Sequence, residues 1–462
     1  MKKKLHLLFV VLFFCACAVP GLGMVFFGES QAAANEVLSP KPSLTQPDGS
    51  VNLNVMSDAA DYFADRFAFR QELITADSAW KAALFHTSSQ EQVSLGREDW
   101  LFYAETEDDF TGADLLTQRQ VWAICRSLEL AQGHVESKGA SFLFTVAPNK
   151  LTLYPEHGPQ GLEPGEVTAL SQVTGALAES SVPYSDLVAA FSQQEEDLYH
   201  KWDSHWTYKG AALAHDTLLA GLGRTGDMFQ REGYYEKDHQ GDLYVMLYPA
   251  SHELEDQWHF SQDLAFEYAT PIRDVDDLRI ETTSAGTNGN LLMFRDSFGN
   301  TLHSLLAESF GHAVFSRSTP YDLGAMDAIQ ADTVILEIVE RNLKNLAEYP
   351  FLFPAPWTEV SASPLQPQDT GETLTVSAAE SPQAAGYLTV TGELPSCGDS
   401  SPVYLRAGGL QFEASPVGSG GSQPGTCPFT AYLPAGTDLT GAQILWQDDT
   451  GAWLQASLAA QG

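Results

Sequence analysis

The sequence predicts an α/β domain built on a parallel sheet flanked by helices, with an N-terminal membrane anchor or signal segment before it and an all-β, sandwich-like domain after it. Three observations carry this. Helical and strand-like segments alternate from about residue 117 to 340, the composition turns to Gly, Ser, Thr and Pro beyond Pro356, and an uncharged, mostly apolar run fills residues 5–27. Such alternation implies parallel strands joined by crossover helices.

In chain order, Lys2, Lys3 and Lys4 precede the apolar run, which exceeds the roughly 20 residues a bilayer core needs and would keep its basic end inside. Pro20, Gly21 and Gly23 loosen its later part, and Ala32-Ala33-Ala34 offers a cleavage site. A retained anchor and a cleaved signal peptide, both within residues 1–30, therefore stay open. Residues 31–56 are rich in Pro, Asn and Ser without periodicity and read as a linker. The main domain takes residues 57–356. Ser57-Asp58 can cap a helix running to His86, with Tyr62, Phe63, Phe67, Phe69, Ile74, Trp80 and Leu84 as its apolar face. Strands over 92–96 and 100–103 follow, around a turn containing Arg97, Glu98 and Asp99.

Helices are expected over 117–138, 164–180, 185–192, 207–221 and 300–310, with strands over 141–147, 182–184, 291–295 and 333–339. The last two are nearly continuous apolar runs, as strands buried on both faces should be. In residues 357–462, short alternating runs at 386–391, 403–405 and 444–446 recur between turns. Cys397 and Cys427 flank a Gly/Ser/Pro-rich stretch there, and closing that loop in an oxidising compartment adds about 3 to 4 kcal/mol. Cys125, in a helical run, reads as a small buried hydrophobe.

A chain of 462 residues with 44% hydrophobic and 18% charged residues excludes wholesale disorder. Lys plus Arg number 24 against 60 Asp plus Glu, and the net charge of −36 repels nucleic acid and strongly anionic polymers. The partner expected is a neutral or weakly charged substrate, although acidity also serves simply to keep an exported protein soluble.

Two local patterns carry chemistry. The apolar strand 291–295 ends at Asp296-Ser297 and runs straight into a helix, which displays Ser297 where the helix N-terminus can stabilise an oxyanion. A capping serine would give the same pattern. Upstream, Asp203 and His205 lie two apart in Tyr199-His200-Lys201-Trp202-Asp203-Ser204-His205-Trp206-Thr207-Tyr208. A serine needs a base to take its proton, and an imidazole needs a fixed tautomer, so Asp203 and His205 supply what Ser297 lacks. A surface Asp–His pair is the commoner reading of such spacing. A metal held by His200, Asp203 and His205 lacks a fourth ligand, so no metal is assigned.

The two patterns together resemble the DHHW family and the related alginate O-acetylation proteins AlgJ and AlgX, whose domain is SGNH-hydrolase-like. The resemblance covers about residues 55–345. It takes in Asp65-Arg66-Phe67 with Arg70, Gly96 through Trp100-Leu101-Phe102-Tyr103, Ala147-Pro148-Asn149-Lys150 and Tyr154-Pro155. It continues through Asp203-Ser204-His205-Trp206-Thr207, Gly241-Asp242-Leu243, Asp296-Ser297-Phe298-Gly299 and Glu340-Arg341-Asn342-Leu343. It implies that Asp203 orients His205, His205 activates Ser297, and Ser297 carries an acetyl group for transfer to a polysaccharide. An esterase on the same triad and a non-catalytic glycan-binding protein are the alternatives.

The implied partners are a polysaccharide acceptor and an acetyl donor, the latter supplied by a membrane acyltransferase; no cofactor is implied. Arg341, Asn149, Lys150, Trp206 and Arg295 are candidate substrate-binding or supporting residues, Arg341 either meeting substrate or bracing Glu340. Two departures from the pattern are Ser204 at the family's second motif position and Arg295 where a glycine is common. The aromatics Tyr248, Trp258, Phe260 and Tyr268 suit either a sugar-gripping lid or local core. The C-terminal domain serves either to hold glycan or as a structural appendage.

Overall fold

The computed structural model describes residues 2–32, 37–380, 385–418, 421 and 425–461, so Ala33 and Ala34 of the expected cleavage site lie outside the described residues. Helix α1 (Lys2–Phe27) carries the apolar run. Among the described residues no single helix is long and apolar enough to cross a membrane. The segments His6–Cys15 and Ala18–Phe27 meet at 41° and meet the length and composition requirement only together. Pro20 accounts for a break there, since it has no N–H to give the carbonyl four residues earlier.

The long helix expected after residue 57 is two helices, α2 (Val55–Arg66) and α3 (Arg70–Phe85). Phe67 turns extended, Phe69 adopts φ 66°, and the Ala68 N–H between them donates to the Pro20 carbonyl. A tertiary contact thus overrides a helical pattern that is continuous in sequence. Strands β1 (Val93–Leu95) and β2 (Leu101–Tyr103) pair antiparallel around a turn with positive φ at Glu98 and Asp99.

The central domain then runs α4 (Thr106–Thr111), α5 (Gln118–Ser137), β3 (Ser141–Ala147), α6 (Lys150–Leu153), α7 (Ala169–Leu177), β4 (Tyr184–Ser185), α8 (Leu187–Phe191) and α9 (Tyr208–Gly221). Strands β5 (Gly233–His239) and β6 (Glu255–Phe260) pair antiparallel across α10 (Asp242–Leu247). The chain returns through β7 (Glu267–Tyr268), β8 (Arg279–Thr283), β9 (Asn290–Phe294), α11 (Gly299–Ser309), β10 (His312–Ser316), α12 (Ala325–Ile329), β11 (Thr333–Val339) and α13 (Asn345–Glu348). Thr117 and Thr168 close capping boxes at the starts of α5 and α7.

The main sheet has the order β4-β3-β11-β9-β10-β8-β7, parallel from β4 to β10 with an antiparallel edge. Its central strands are apolar on both faces. Phe142, Phe144, Leu292, Phe294, Val334 and Leu336 enter one core with α5 and α7, whereas Leu143, Leu291, Met293 and Ile335 enter the other with α9 and α11. This is the sandwiching of a parallel sheet between helices that the sequence predicts.

The C-terminal strands are β12 (Trp357–Glu359), β13 (Gln368–Glu380), β14 (Tyr387–Leu394), β15 (Val403–Ala407), β16 (Leu410–Pro416), β17 (Cys427–Pro434), β18 (Gln443–Gln447) and β19 (Trp453–Gln461). They do not form the expected two-sheet sandwich. β16 bonds β15 along its length and β17 at Ser415 and Pro416, so the order β16-β15-β18-β19-β13-β14-β17 returns to β16 and closes a barrel, with β12 alongside. Alternating strands suit either architecture; a strand shared between two partners removes the edges a sandwich keeps. Cys397 and Cys427 are joined by a disulfide. Arg126 of α5 grips both oxygens of Glu413 at 2.8 Å, Arg119 donates to the Ser401 carbonyl at 2.8 Å, and Gly418 N–H donates to Ala347 O, tying barrel to α/β domain.

Candidate active site

Ser297 stands between the end of β9 and the start of α11, beyond the carboxyl edge of the sheet. The turn that displays it is held by Asp296, whose Oδ1 accepts the Phe298 N–H at 2.9 Å and whose Oδ2 accepts the Val339 N–H at 2.6 Å. Asp296 therefore ties the turn to the end of β11. Its own N–H donates to Glu337, a fully buried carboxyl that burial and then the Asp296 charge push well above the usual range.

The segment 198–207 folds back on itself, with Tyr199 bridging Trp206, His200 N–H donating to His205 O and Thr207 N–H to Leu198 O. Asp203 and His205 occupy its tip. Asp203 Oδ1 accepts the His205 backbone N–H at 2.9 Å and lies 2.7 Å from its Nδ1. One oxygen thus sets both the turn and the ring, which is the physical content of the two-residue spacing. On the far side, His205 Nε2 lies 2.8 Å from Ser297 Oγ. Asp203, His205 and Ser297, separated by up to 94 positions in sequence, form one continuous hydrogen-bonded chain. Burial penalises the Asp203 charge, yet hydrogen bonds from His205 and His239 outweigh it and hold this carboxylate well below the usual range. Burial pulls the His205 pKa down, and the Asp203 bond and charge more than reverse it, leaving it raised.

Two groups that the chemistry of the motifs did not single out complete this cluster. Asp242, at the head of α10, accepts the Ser204 N–H at 2.7 Å and the Ser204 hydroxyl at 2.6 Å, and reaches within 3.5 Å of His205 Nδ1. Ser204, the departure from the family motif, is thereby used. His239, ending β5, places Nε2 2.9 Å from the second oxygen of Asp203.

The supporting candidates separate into different places. Lys150 is buried and donates to three carbonyls, His200 at 3.0 Å, Lys201 at 3.1 Å and Asp203 at 2.6 Å, beside the Trp100 and Phe102 rings. Burial lowers its pKa to about 8 against the pull of Asp203. It staples the 198–207 turn from beneath rather than meeting substrate. Replacing it with methionine takes the Lys150 donor from the His200 and Asp203 carbonyls, while Lys201 O keeps the Leu101 N–H, and Lys150→Met is expected to cost about 3 to 5 kcal/mol in a denaturant melt.

Asn149 is buried too, its N–H on Glu340 at 2.8 Å and its amide on Asp109 at 3.2 Å. Trp206 is core, stacked on Phe191 and edge-on to Phe298. Arg295 turns away from the serine to Asn300 and the Val275 and Asp277 carbonyls, bracing the start of α11 against the preceding loop. Arg341 alone of these five is half-exposed, its guanidinium 5.3 Å from the Tyr103 ring and 5.7 Å from the Phe298 ring. It does not brace Glu340, which is occupied by Asn149 N–H and the Thr152 hydroxyl.

The aromatics expected to form either a lid or local core lie mostly in packed structure. Phe260 meets Tyr208, Tyr248 packs on Tyr244, and Trp258 packs on Tyr235. Strand β6, which carries Trp258 and Phe260, supports the turn, because Glu255 accepts the Lys201 and Trp202 N–H groups and Gln257 accepts that of Tyr208. The metal set His200, Asp203 and His205 does not assemble, since His200 points its Nδ1 towards Glu255 at 3.8 Å.

Residues 93–278 match the family model described as the SGNH hydrolase-like domain of the acetyltransferase AlgX. The chain carries an AlgX-like SGNH domain. Asp203, His205, His239 and Asp242 of the AlgX-like domain fall inside the match, while Ser297 lies beyond its end. The chain is 24% identical over 204 residues to a probable alginate O-acetylase AlgJ of Pseudomonas syringae pv. tomato, covering 41% of this chain and 49% of that protein. It is 27% identical over 160 residues to the AlgJ of Pseudomonas putida, covering 33% and 40%. The chain thus spans about half the length of the first of these relatives.

Solved structures similar to the AlgX-like domain include Bacillus cereus PatB1 with a sulfonyl adduct, at TM-score 0.43 and 14% identity over 54% of this chain and 97% of that one. A DHHW family protein of Eubacterium siraeum aligns at TM-score 0.42 and 14% identity over 50% and 89%. Likeness this distant carries nothing about the site.

Proposed function

We propose that the chain is an extracytoplasmic, serine-dependent O-acetyltransferase that acts on a cell-surface or extracellular polysaccharide through an acyl-serine intermediate. The observation supporting it is the unbroken chain from Asp203 through His205 to Ser297 at the carboxyl end of parallel strands. In the first half-reaction His205 Nε2 takes the Ser297 proton as Oγ attacks the acetyl carbonyl of the donor. The tetrahedral intermediate collapses, and His205 returns the proton to the departing donor oxygen. In the second, a sugar hydroxyl gives its proton to His205 and attacks the acetyl-serine, and the proton goes back to Ser297 Oγ. The Ser297 N–H at the head of α11 faces the oxyanion, and Arg341 meets the acyl or sugar oxygens.

The charge of −36 favours a neutral or weakly charged glycan as acceptor. Residues 1–30 act as anchor or signal segment, 31–56 as linker, 57–356 as catalytic domain and 357–462 as a β domain that helps hold glycan. A membrane acyltransferase supplies the acetyl donor.

The test uses the full chain in detergent with p-nitrophenyl acetate and, as acceptors, neutral oligosaccharides beside alginate oligomers, reading p-nitrophenol release and acetyl mass increments. Acetylated neutral oligomers are expected. Release without any acetylated sugar makes the chain an esterase on the same triad, acetylation of alginate oligomers alone overturns the charge argument, and no release removes the serine mechanism.

A further inference from the structure

The Asp203 carboxylate serves two histidines. Its Oδ1 receives His205, and its Oδ2 receives His239 Nε2 at 2.9 Å together with the Asp242 N–H at 3.1 Å. An ionised Asp203 requires the proton of His239 on Nε2. The other face of the His239 ring stacks on His200, with centroids 3.8 Å apart and planes 14° from parallel.

That stack argues against reading His200, His239 and Glu255 as a metal site, although their ligand atoms cluster. An imidazole binds a metal in its ring plane, and nearly parallel planes this close do not meet at a common ion. His200 is instead a neutral floor: burial, and next the neighbouring His239, push its pKa down to about 3.

Resting on the acyl-serine reading, we propose that His239 is a positioning residue of the triad. It holds the second oxygen of Asp203, and its charge sets how tightly His205 keeps a proton. Asp203, Glu255 and Asp242 favour its cation, the stacked His200 opposes it, and His205 shares the Asp203 carboxylate with it. Asp238 on its own strand is turned to His259. For His239, burial lowers the pKa while the Asp203 bond and charge raise it above the ordinary value, as they do for His205.

Two imidazoles on one carboxylate titrate as a pair. A proton on His239 repels one on His205, so His205 stays neutral, and able to act as a base, to lower pH than Asp203 alone would permit.

The experiment compares kcat and kcat/KM for p-nitrophenyl acetate from pH 5 to 9 in the wild-type full chain, His239→Gln, His239→Ala and Ser297→Ala, with thermal melts of each. Glutamine keeps a donor and removes the charge. Its acid limb is expected to move up by about half a pH unit, with the plateau lowered about twofold. Alanine removes the donor as well and is expected to lower kcat about tenfold with KM little changed, a loss the glutamine variant largely recovers. A merely structural His239 would lower the plateau and the melting temperature and leave the limb in place. If His239→Gln folds and its limb coincides with wild type or moves down, this inference falls while a dead Ser297→Ala leaves the acyl-serine reading standing. If Ser297→Ala stays active, that reading falls with it.

Discussion

Ser297→Ala is expected to lower kcat/KM for acyl release by about 10⁴-fold, the scale on which removal of a triad nucleophile acts. Among the described residues no other hydroxyl bonds His205 Nε2 to replace it: Ser204, its other neighbour, lies on the Nδ1 side and is committed to Asp242. His205→Ala is expected to cost about as much, and the double variant little more, because the two groups act as one unit. The fold should be indifferent. The Ser297 hydroxyl is half-buried and bonds only His205 among the described residues, so its loss is expected to stay within about 1 kcal/mol. Steady-state release, a denaturant melt and intact-mass detection of the acetyl-enzyme check all three statements. An alanine variant that still acquires about 42 Da, roughly the mass of one acetyl group for hydrogen, would place the nucleophile elsewhere.

The second large effect is expected at Asp203. Its carboxylate accepts four donors, the His205 ring and backbone N–H, the His239 ring and the Asp242 N–H. Asparagine offers one oxygen and an NH₂ group, so at least one side is left facing a donor with a donor, and the ring it no longer orients takes the wrong tautomer. Asp203→Asn is expected to lower kcat/KM about 10³- to 10⁴-fold. Unlike the serine change it should also cost about 2 to 4 kcal/mol, since the turn carrying His205 loses a buried anchor and His239 loses its acceptor. An unchanged melt with full loss of rate would mean that the turn is held by Lys150 and Asp242 without it.

Much of this site is legible in the sequence because it rests on local pattern. A β-strand apolar on nearly every residue announces itself, so β9 and β11 and the exits they provide for Ser297 and Arg341 are readable from composition alone. The Asp203–His205 spacing is equally local, being one Asx-type turn. The supporting residues are not. Lys150, Arg295 and Asn149 have side chains that suit a substrate equally well, and only the fold decides that their polar groups meet carbonyls, Asn300 and Asp109.

His239 and Asp242 lie in the run leading to Gly241-Asp242-Leu243, which the family resemblance marks but whose chemistry depends on contacts with Trp202 and Ser204 some forty residues earlier. The break at Phe67–Phe69 and the closure of the barrel have the same origin. Each is decided by a tertiary contact, with the Pro20 carbonyl in one case and, in the other, between Ser415 and Thr430 of the following strand.

The barrel joins its first long strand to its last. Residues Gln368 to Ser377 of β13 run parallel to Leu454 to Gln461 of β19, and the other side of β19 is β18. A nascent chain therefore makes β13 some eighty residues before the strand that covers it, and the ring stays open until β19 is made. Synthesis of β19, rather than of any earlier strand, is what lets this ring close. Chains that terminate early leave β13 and β18 with bare edges, the form in which strands pair with strangers.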